Sequence, residues 1–527
     1  MKCHLCFFDI FFGYLRGGFG IHYIYNMRLK HFTLLLVLLL SACASKESVV
    51  ASVADSPKRE FRGAWIQAVN GQFMYKDEGE MKKYLVTMLD NLQKVNVNAV
   101  IFQVRVEGDA LYSSDLEPWS RYITGVQGRS PGWDPLAFMV DECHKRNMEL
   151  HAWINPYRAR TKGTKNVAPM HLSAKRPDDF IYYEEQLYFN PALQSNRDHI
   201  CNVVRDILNR YDVDGMHMDD YFYPYPAPGK EFADNMWFKK SGAADKDDWR
   251  RENVNLLIKQ IHEVVREVKP WVKVGVSPFG IYRNKGSWKC GSETRGLQCY
   301  DELYADVLLW IDKGWVDYCI PQIYWEIGHK AADYAELVKW WAQYASKRPL
   351  YVGQDVQRTV KAKDRKSPTG NQQHEKYAMQ RAEKNIQGSC FWDAASAANN
   401  VDGYRKVLEE GLFRYPALMP EHPFMDSKAP KKLRGVRMID VDGQNVLVWL
   451  PKKKRVKNEL DKPHRYVLYC FAKGESINLD DPSKIVAITS ETSYNIPEGM
   501  EGKYTFVVTV IDRMHNESAA VKCKVKL

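Results

Sequence analysis

Between residues 61 and 411 the chain alternates two hydrophobic periods. Short runs of β-type residues give way to longer runs whose apolar positions follow i, i+3, i+4, i+7, as on one face of a helix. The β-type runs are FRGAWIQAV (61–69), AVIFQVRVE (99–107), ELHAWINP (149–156), VDGMHMDD (213–220), VKVGVSPFG (272–280), VDYCIPQIYW (316–325), PLYVGQDV (349–356) and GSCFWDAAS (388–396). Helical patterns such as EMKKYLVTMLDNLQKV, NRDHICNVVRDILNRY and WRRENVNLLIKQIHEVVREVK fill the gaps. Eight β-then-α units predict a (β/α)8 TIM barrel over residues 59–415, rather than an open doubly wound sheet with its freer strand count. No GxGxxG or GxxxxGK[ST] nucleotide loop occurs in this region. A barrel places function at the C-terminal ends of its strands and in the loops that follow.

After Pro416 the texture changes. A linker over 416–428 leads into alternating runs, NVLVWL, RYVLYCFA, KIVAI and YTFVVTVID, separated by turn residues and without a helical pattern. Residues 429–527 therefore read as a small all-β sandwich. Trp449, the RYVLY run and the position of Tyr504, where a tyrosine corner would fall, make it resemble a fibronectin type III domain.

The stretch MRLKHFTLLLVLLLSAC (27–43) has basic residues, an apolar run of signal-peptide length and small residues before Cys43. Leu40-Ser41-Ala42-Cys43 resembles the lipobox of bacterial lipoproteins, which implies lipidation of Cys43. Residues 1–43 are then a leader whose true start is Met27, and 44–58 are a polar tether. The expected location is a bacterial cell envelope, lipid-anchored at the outer membrane and facing the periplasm or the surface, with the lipid as the contact to membrane.

Of 11 cysteines, those outside the leader show no CxxC pair, so zinc spacing is absent. Cys290 and Cys299 share one loop-like stretch and are either bridged or free. The net charge of +10 is modest for 527 residues. Part of that charge sits in KAPKKLRGVR and PKKKRVK near the C-terminus, and the latter reads as a solvated hairpin loop drawn to anionic envelope polymers, not to nucleic acid. Aromatic residues at 13% exceed what an ordinary composition needs, and suit either a large core or a cleft for ring-shaped ligands.

Side chains alternate on a strand, so parity sorts the candidates. In the fourth run Met216 and Met218 share the outer face, which sends His217 and Asp219 into the barrel with Asp220 opening the next loop. The second run puts Gln103, Arg105 and Glu107 inside, with Asp109 just beyond. The third gives His151, Trp153 and Asn155, and the sixth gives Gln322 and Tyr324, with Glu326 at its end. Polar groups interleaved with Trp65, Trp153, Tyr157, Tyr221, Tyr223, Tyr324, Trp325 and Trp392 are what a sugar site needs: hydrogen bonds for hydroxyls and rings for C–H faces.

Glycosidic cleavage wants two carboxyl groups. Asp219 is read as nucleophile or base, against a purely structural pairing with Arg105. Asp220, Asp109 or Glu326 is read as the acid, with Glu107, Asp355 and Asp393 behind them. His217 is an orienting or substrate hydrogen-bonder. No HxxxH pair is present among 14 histidines, and neither metal nor cofactor is expected.

Together FRGAWIQAV, QVRVEGDALYSSDLEPWS, HAWINPYR, DGMHMDDYFYPYP, GVSPFGIYRN and PQIYW resemble the glycosyl-hydrolase-like family ten barrel, from about Phe61 to Gly411. The resemblance implies a TIM barrel, carbohydrate cleavage and, in some members, action on peptidoglycan glycan strands stripped of peptides. It would place the work on Asp219, Asp220, Asp109, Arg105, Asn155 and Tyr324. More distantly, His217-x-Asp219 is similar to the Arg-x-Asp of alpha-amylase-type barrels, whose acid is a Glu ending the fifth strand; here that place holds Ser277-Pro278-Phe279. The expectation is an envelope-anchored glycoside hydrolase of a polysaccharide, peptidoglycan glycan among them, with Arg105, Trp65, Trp153, Asn155, Tyr157, His217, Tyr221, Gln322, Tyr324 and Trp325 binding substrate. Two other readings are a non-catalytic glycan-binding lipoprotein and a metal-dependent polysaccharide deacetylase.

Overall fold

Eight parallel strands close into a barrel in the computed structural model, which describes residues 56–364, 367, 370–451 and 458–527. The strands are β1 (Phe61–Ile66), β2 (Ala99–Arg105), β3 (Glu149–Ile154), β4 (Gly215–Met218), β5 (Lys273–Val276), β6 (Tyr318–Cys319), β7 (Leu350–Asp355) and β8 (Ile386–Trp392). They pair in sequence order, and β8 closes on β1 with Phe61 opposite Gly388. Each expected run supplies one strand. β6 is much shorter than its run because Pro321 lacks the N–H a ladder needs, yet Gln322 still bridges Phe279 and Gly353.

The intervening helices form for local reasons. In α1 (Glu78–Lys94) Asp77 and Glu80 make a reciprocal capping box, and Met81, Leu85, Met88, Leu89 and Leu92 form the buried stripe. The corresponding long helices after β3 and β4 are α2 (Gln194–Arg210) and α3 (Lys246–Val268), which present their apolar faces to the sheet. A three-stranded insertion, Arg158–Arg160, Phe180–Tyr183 and Gln186–Phe189, follows β3 and brings Arg158 to the mouth.

The barrel interior is a stacked aromatic column, not a pore. Met419 and Phe61 lie low, Phe61 stacks on Tyr351 at 4.0 Å, and Tyr318 lies beside them. Trp65 and Trp153 cap the column, with Tyr324 and Trp392 packed above. Gly275 makes room for it: a Cβ there would fall 1.9 Å from the Tyr318 ring.

The second run departs from its simple parity. The β2–β3 register slips between Gln103 and Arg105, a bulge at Val104 that leaves Gln103 facing the interior and turns Arg105 away.

Beyond the barrel, β9 (Gly435–Val441), β10 (Gln444–Leu450) and β13 (Ser493–Asn495) form one antiparallel sheet. The other contains β11 (Arg465–Ala472), β12 (Ile485–Thr489), β14 (Lys503–Ile511) and β15 (Val521–Lys526). Trp449, Leu468, Phe506 and Val508 lie in the core between them. The Tyr504 hydroxyl donates to the Glu501 carbonyl three residues upstream, at 3.2 Å.

The sandwich docks on the N-terminal end of the barrel, opposite the strand ends that matter for chemistry. At that contact Glu149, at the start of β3, accepts from Lys273 of β5 at 2.7 Å, from His151 at 2.9 Å and from His515 of the sandwich at 2.7 Å. Arg465 donates to the Asn147 carbonyl at 2.5 Å. The leader with Cys43, most of the tether and the stretch 452–457 lie outside the described residues. Cys290 and Cys299 are both free thiols, the first exposed and the second buried.

Candidate active site

The C-terminal mouth of the barrel opens into a cleft of about 480 Å³. Its floor and walls include Trp65, Gln103, Trp153, Arg158, Asp219, Asp220, Tyr221 and Tyr225, with Ser277, Phe279, Gln322, Tyr324, Trp325, Arg358 and Trp392 around the rest. Asp219 and Asp220 are the only carboxylates among these described lining residues.

Asp219 ends β4 as parity requires, and every partner it has is a donor that cannot reverse. Trp153 Nε1 donates to Oδ2 at 3.1 Å, the Asn155 side-chain amide donates to the same oxygen, and the Tyr221 backbone N–H donates to Oδ1 at 3.2 Å. Asn155 is itself locked, because its Oδ1 accepts from Gln103 Nε2 and Arg158 Nη2, each at 2.6 Å. Gln103 is fixed in turn by the Ala68 and Val69 N–H groups at 2.8 and 2.9 Å. A relay from the β1 loop through two side-chain amides thus aims the carboxylate.

Asp220 leans the other way. Its Oδ1 accepts from Gln322 Nε2 at 3.0 Å, and Oδ2 is bonded to the Tyr225 hydroxyl. A phenol can donate or accept, so this is the one partner in the pair that can turn round to receive a proton. Burial pushes both groups up: Asp219 to about 7, with the neighbouring Asp220 charge adding to the effect and Arg158 opposing it, and Asp220 in the same direction. Two adjacent buried carboxyls whose charges oppose each other titrate as a pair. Asp219 is surrounded by fixed donors, whereas Asp220 has the one partner that can accept from a protonated carboxyl, so this geometry suits a proton on Asp220 even though burial and the Asp220 charge also push Asp219 up.

His217 lies beneath Asp219, fully buried. Its Nε2 accepts from Trp65 Nε1 at 3.3 Å and meets Ser277 Oγ at 2.9 Å, and its Nδ1 meets Tyr318 Oη at 3.0 Å. Burial, with His151 nearby, holds it well below the usual imidazole range, so it is a neutral support.

The structure gathers Trp65, Trp153, Asp219, Asp220, Tyr221, Gln322, Tyr324 and Trp325 at the cleft, with Asn155 and His217 directly behind Asp219. Four expected residues stand elsewhere. Arg105, past the bulge, is fully buried in a bidentate pair with Glu117 at 2.6 and 2.8 Å, so it does not line the cleft and does not pair with Asp219. Asp109 folds back at Gly108, where φ is +62°, and accepts from the Glu107 N–H at 3.0 Å and Gln127 Nε2 at 3.1 Å. Tyr157 is wholly buried away from the cleft. Glu326 lies where the chain turns from the mouth, its carbonyl accepting from the His329 and Tyr334 N–H groups.

Arg158, Tyr225, Phe279 and Arg358 line the cleft without having been expected. Tyr225 and Phe279 come from segments beyond the barrel strands, Arg158 from the first strand of the insertion and Arg358 from the short helix Val356–Lys361 after β7, so the parity of the barrel strands does not reach them; only the adjacency of Arg158 to the HAWINPY run could have pointed to it.

Among the described residues no three of His, Cys, Asp and Glu come together to hold a metal ion. The model of the family "Glycosyl hydrolase-like 10" matches residues 60–369, more than half the chain. Glycosyl hydrolase YngK of Bacillus subtilis (strain 168) is 38% identical over 88% of this chain and 93% of its own length. Glycosyl hydrolase DigH of Escherichia coli (strain K12) is 37% identical over 60% of this chain and 80% of its own. Among solved structures, the catalytic domain of β-amylase from Paenibacillus polymyxa aligns with 68% of this chain and 99% of its own, at 13% identity and a TM-score of 0.44.

Proposed function

This chain belongs to the glycosyl hydrolase-like 10 family, and from that premise we propose that it cleaves glycosidic bonds of an envelope polysaccharide, peptidoglycan glycan strands being the foremost candidate. The observation that carries the reading is the pair Asp219–Asp220, buried together at the floor of an open aromatic cleft, with both carboxyls pushed up by that burial. Asp220 protonates the leaving oxygen. Asp219 remains ionised and supports the positive charge that develops at the anomeric carbon, which an oxocarbenium-like transition state demands. Trp325, Tyr324 and Trp392 offer ring faces for sugar C–H groups, while Gln322, Arg158 and Arg358 offer donors for hydroxyls.

In the same proposal Cys43 carries the lipid, the tether spans from the envelope, and the sandwich acts as a fibronectin-type spacer. Its docking at the opposite end of the barrel leaves the mouth open to a long polymer. The test is incubation of the purified protein with a panel of glycans, denuded peptidoglycan included, and measurement of new reducing ends. Release from at least one glycan is expected. Binding without release from any would replace the hydrolase with a glycan-binding role.

A further inference from the structure

A hydrolase that works with two carboxyl groups needs them on opposite sides of the anomeric carbon, one to protonate the leaving oxygen and one to attack or to activate water. This cleft does not offer that. Its two acids are consecutive residues, with Cα atoms about 3.8 Å apart, on the end of a single strand. The wall across from them is made of Trp65, Trp392 and Arg358. Three other carboxylates at strand ends are engaged, and Glu326 is not among the residues that line the cleft. Glu107 is held by Arg121 at 2.9 Å and Thr164 at 2.8 Å. Asp355 and Asp393 cap helices through the Arg358 and Ser396 N–H groups, at 2.9 and 2.7 Å.

Resting on the glycosidase reading above, we propose that the nucleophile in this site is the C2-acetamido oxygen of the substrate itself, with Asp219 holding the acetamide N–H and Asp220 delivering the proton to the leaving oxygen. The surroundings suit an acetamido group. Trp392 packs against Trp65 and Trp153 at centroid distances of 6.3 and 6.2 Å and against Tyr324 at 6.3 Å. The indole N–H groups of Trp65 and Trp153 are already spent on His217 and Asp219, so these rings present apolar surface, as a methyl group requires. The N–H of the same group finds the one carboxylate of the pair whose protein partners are all fixed donors that aim it.

In the first step the acetamide oxygen bonds to C1 as the C1–O bond to the leaving sugar breaks. The electron pair goes to the leaving oxygen, which takes the Asp220 proton, and a cyclic oxazolinium ion remains whose N–H rests on Asp219. In the second, water adds to C1 from the side just vacated and gives its proton to Asp220. The C1–O bond of the ring breaks and the acetamide is restored. One glycosidic bond and one water are consumed, and the anomeric configuration is retained.

The experiment uses the purified full chain and whichever acetamido glycan it opens. The anomer first formed is read by proton NMR, N-acetylglucosamine-thiazoline is added as a stable mimic of the cyclic ion, and the same glycan is prepared with trifluoroacetamido in place of acetamido groups. Expected are retention, competitive inhibition by the thiazoline, and a kcat lowered at least about tenfold, ~1.4 kcal/mol of barrier, on the fluorinated glycan at nearly unchanged KM. Inversion, an unchanged kcat on the fluorinated glycan, or equal cleavage of 2-hydroxy glycans overturns the inference while leaving the hydrolase intact. A protein that opens no glycan overturns the hydrolase reading and this inference with it.

Discussion

The indole Nε1 of Trp153 donates to Oδ2 of Asp219 at 3.1 Å, tying the third strand of the barrel to the carboxylate at the end of the fourth. The bond makes Trp153 part of the wall and part of what aims the acid. Trp153→Phe keeps the ring and deletes the donor. A hydrogen bond to a charged group is worth about 1.5–3 kcal/mol, so kcat should fall by at least about tenfold with KM little changed. Steady-state kinetics on a glycan the protein cleaves would check this, and a change confined to KM would mean that the indole serves substrate alone.

The pair dictates a pH profile. Asp219 is pushed up to about 7 by burial and by Asp220, and Asp220 is raised as well. The active form carries one proton between them. As pH rises above about 7 that proton leaves and the acid is lost; at low pH a second proton arrives and Asp219 loses its charge. A plot of kcat/KM against pH should therefore be bell-shaped with an alkaline limb near neutrality, its two apparent constants belonging to the pair. A profile flat from pH 6 to pH 9 would contradict it.

Arg105 tests the boundary between structure and chemistry. Its guanidinium and Glu117 are both buried, and Arg105, after the opposing effect of burial, holds the Glu117 carboxyl down to about 2. Arg105→Met strands that carboxylate, with only His199 left at 2.9 Å. The expected loss is about 3–5 kcal/mol in chemical denaturation, with KM of the folded fraction unchanged. A raised KM at full stability would return Arg105 to the substrate.

Much of this site was legible in the sequence because a strand's period of two is rigid where the ladder is regular. On β4 the outward Met216 and Met218 fix Asp219 as inward, and the structure agrees. The same rule failed for Arg105, where one bulge at Val104 shifts everything after it. Asp109 and Glu326 stand beyond strand ends, where turn geometry rather than period sets direction. Arg158 and Arg358 reach the cleft from the start of an insertion strand and from a short helix after β7, and their approach depends on tertiary packing that no local pattern encodes. The sandwich was readable as alternating runs, but its docking through Glu149 and His515 joins residues far apart in sequence.

That docking has its own pH dependence. Burial opposes ionisation of Glu149, but Lys273 and the histidines hold its carboxyl well below the usual range. A lowered carboxylate contributes stability above the unfolded value near 4 and loses it as pH falls through the folded value. Glu149→Gln should lower stability by about 3–5 kcal/mol at pH 7, since Lys273 loses its charge partner, and the gap to the unaltered protein should narrow on acidification. Thermal unfolding at pH 7 and at about pH 2.5, below the unfolded value, would check both; equal gaps at the two would count against the network.

The roles of the two aspartates separate most directly in the hydrolysis of one natural glycan and one aryl glycoside whose leaving group needs no proton, by Asp219→Asn and Asp220→Asn. Asp220→Asn should lose ~10²–10⁴-fold on the glycan and retain most activity on the aryl glycoside, while Asp219→Asn loses both. Wild-type rates on the glycan in either variant would contradict the account.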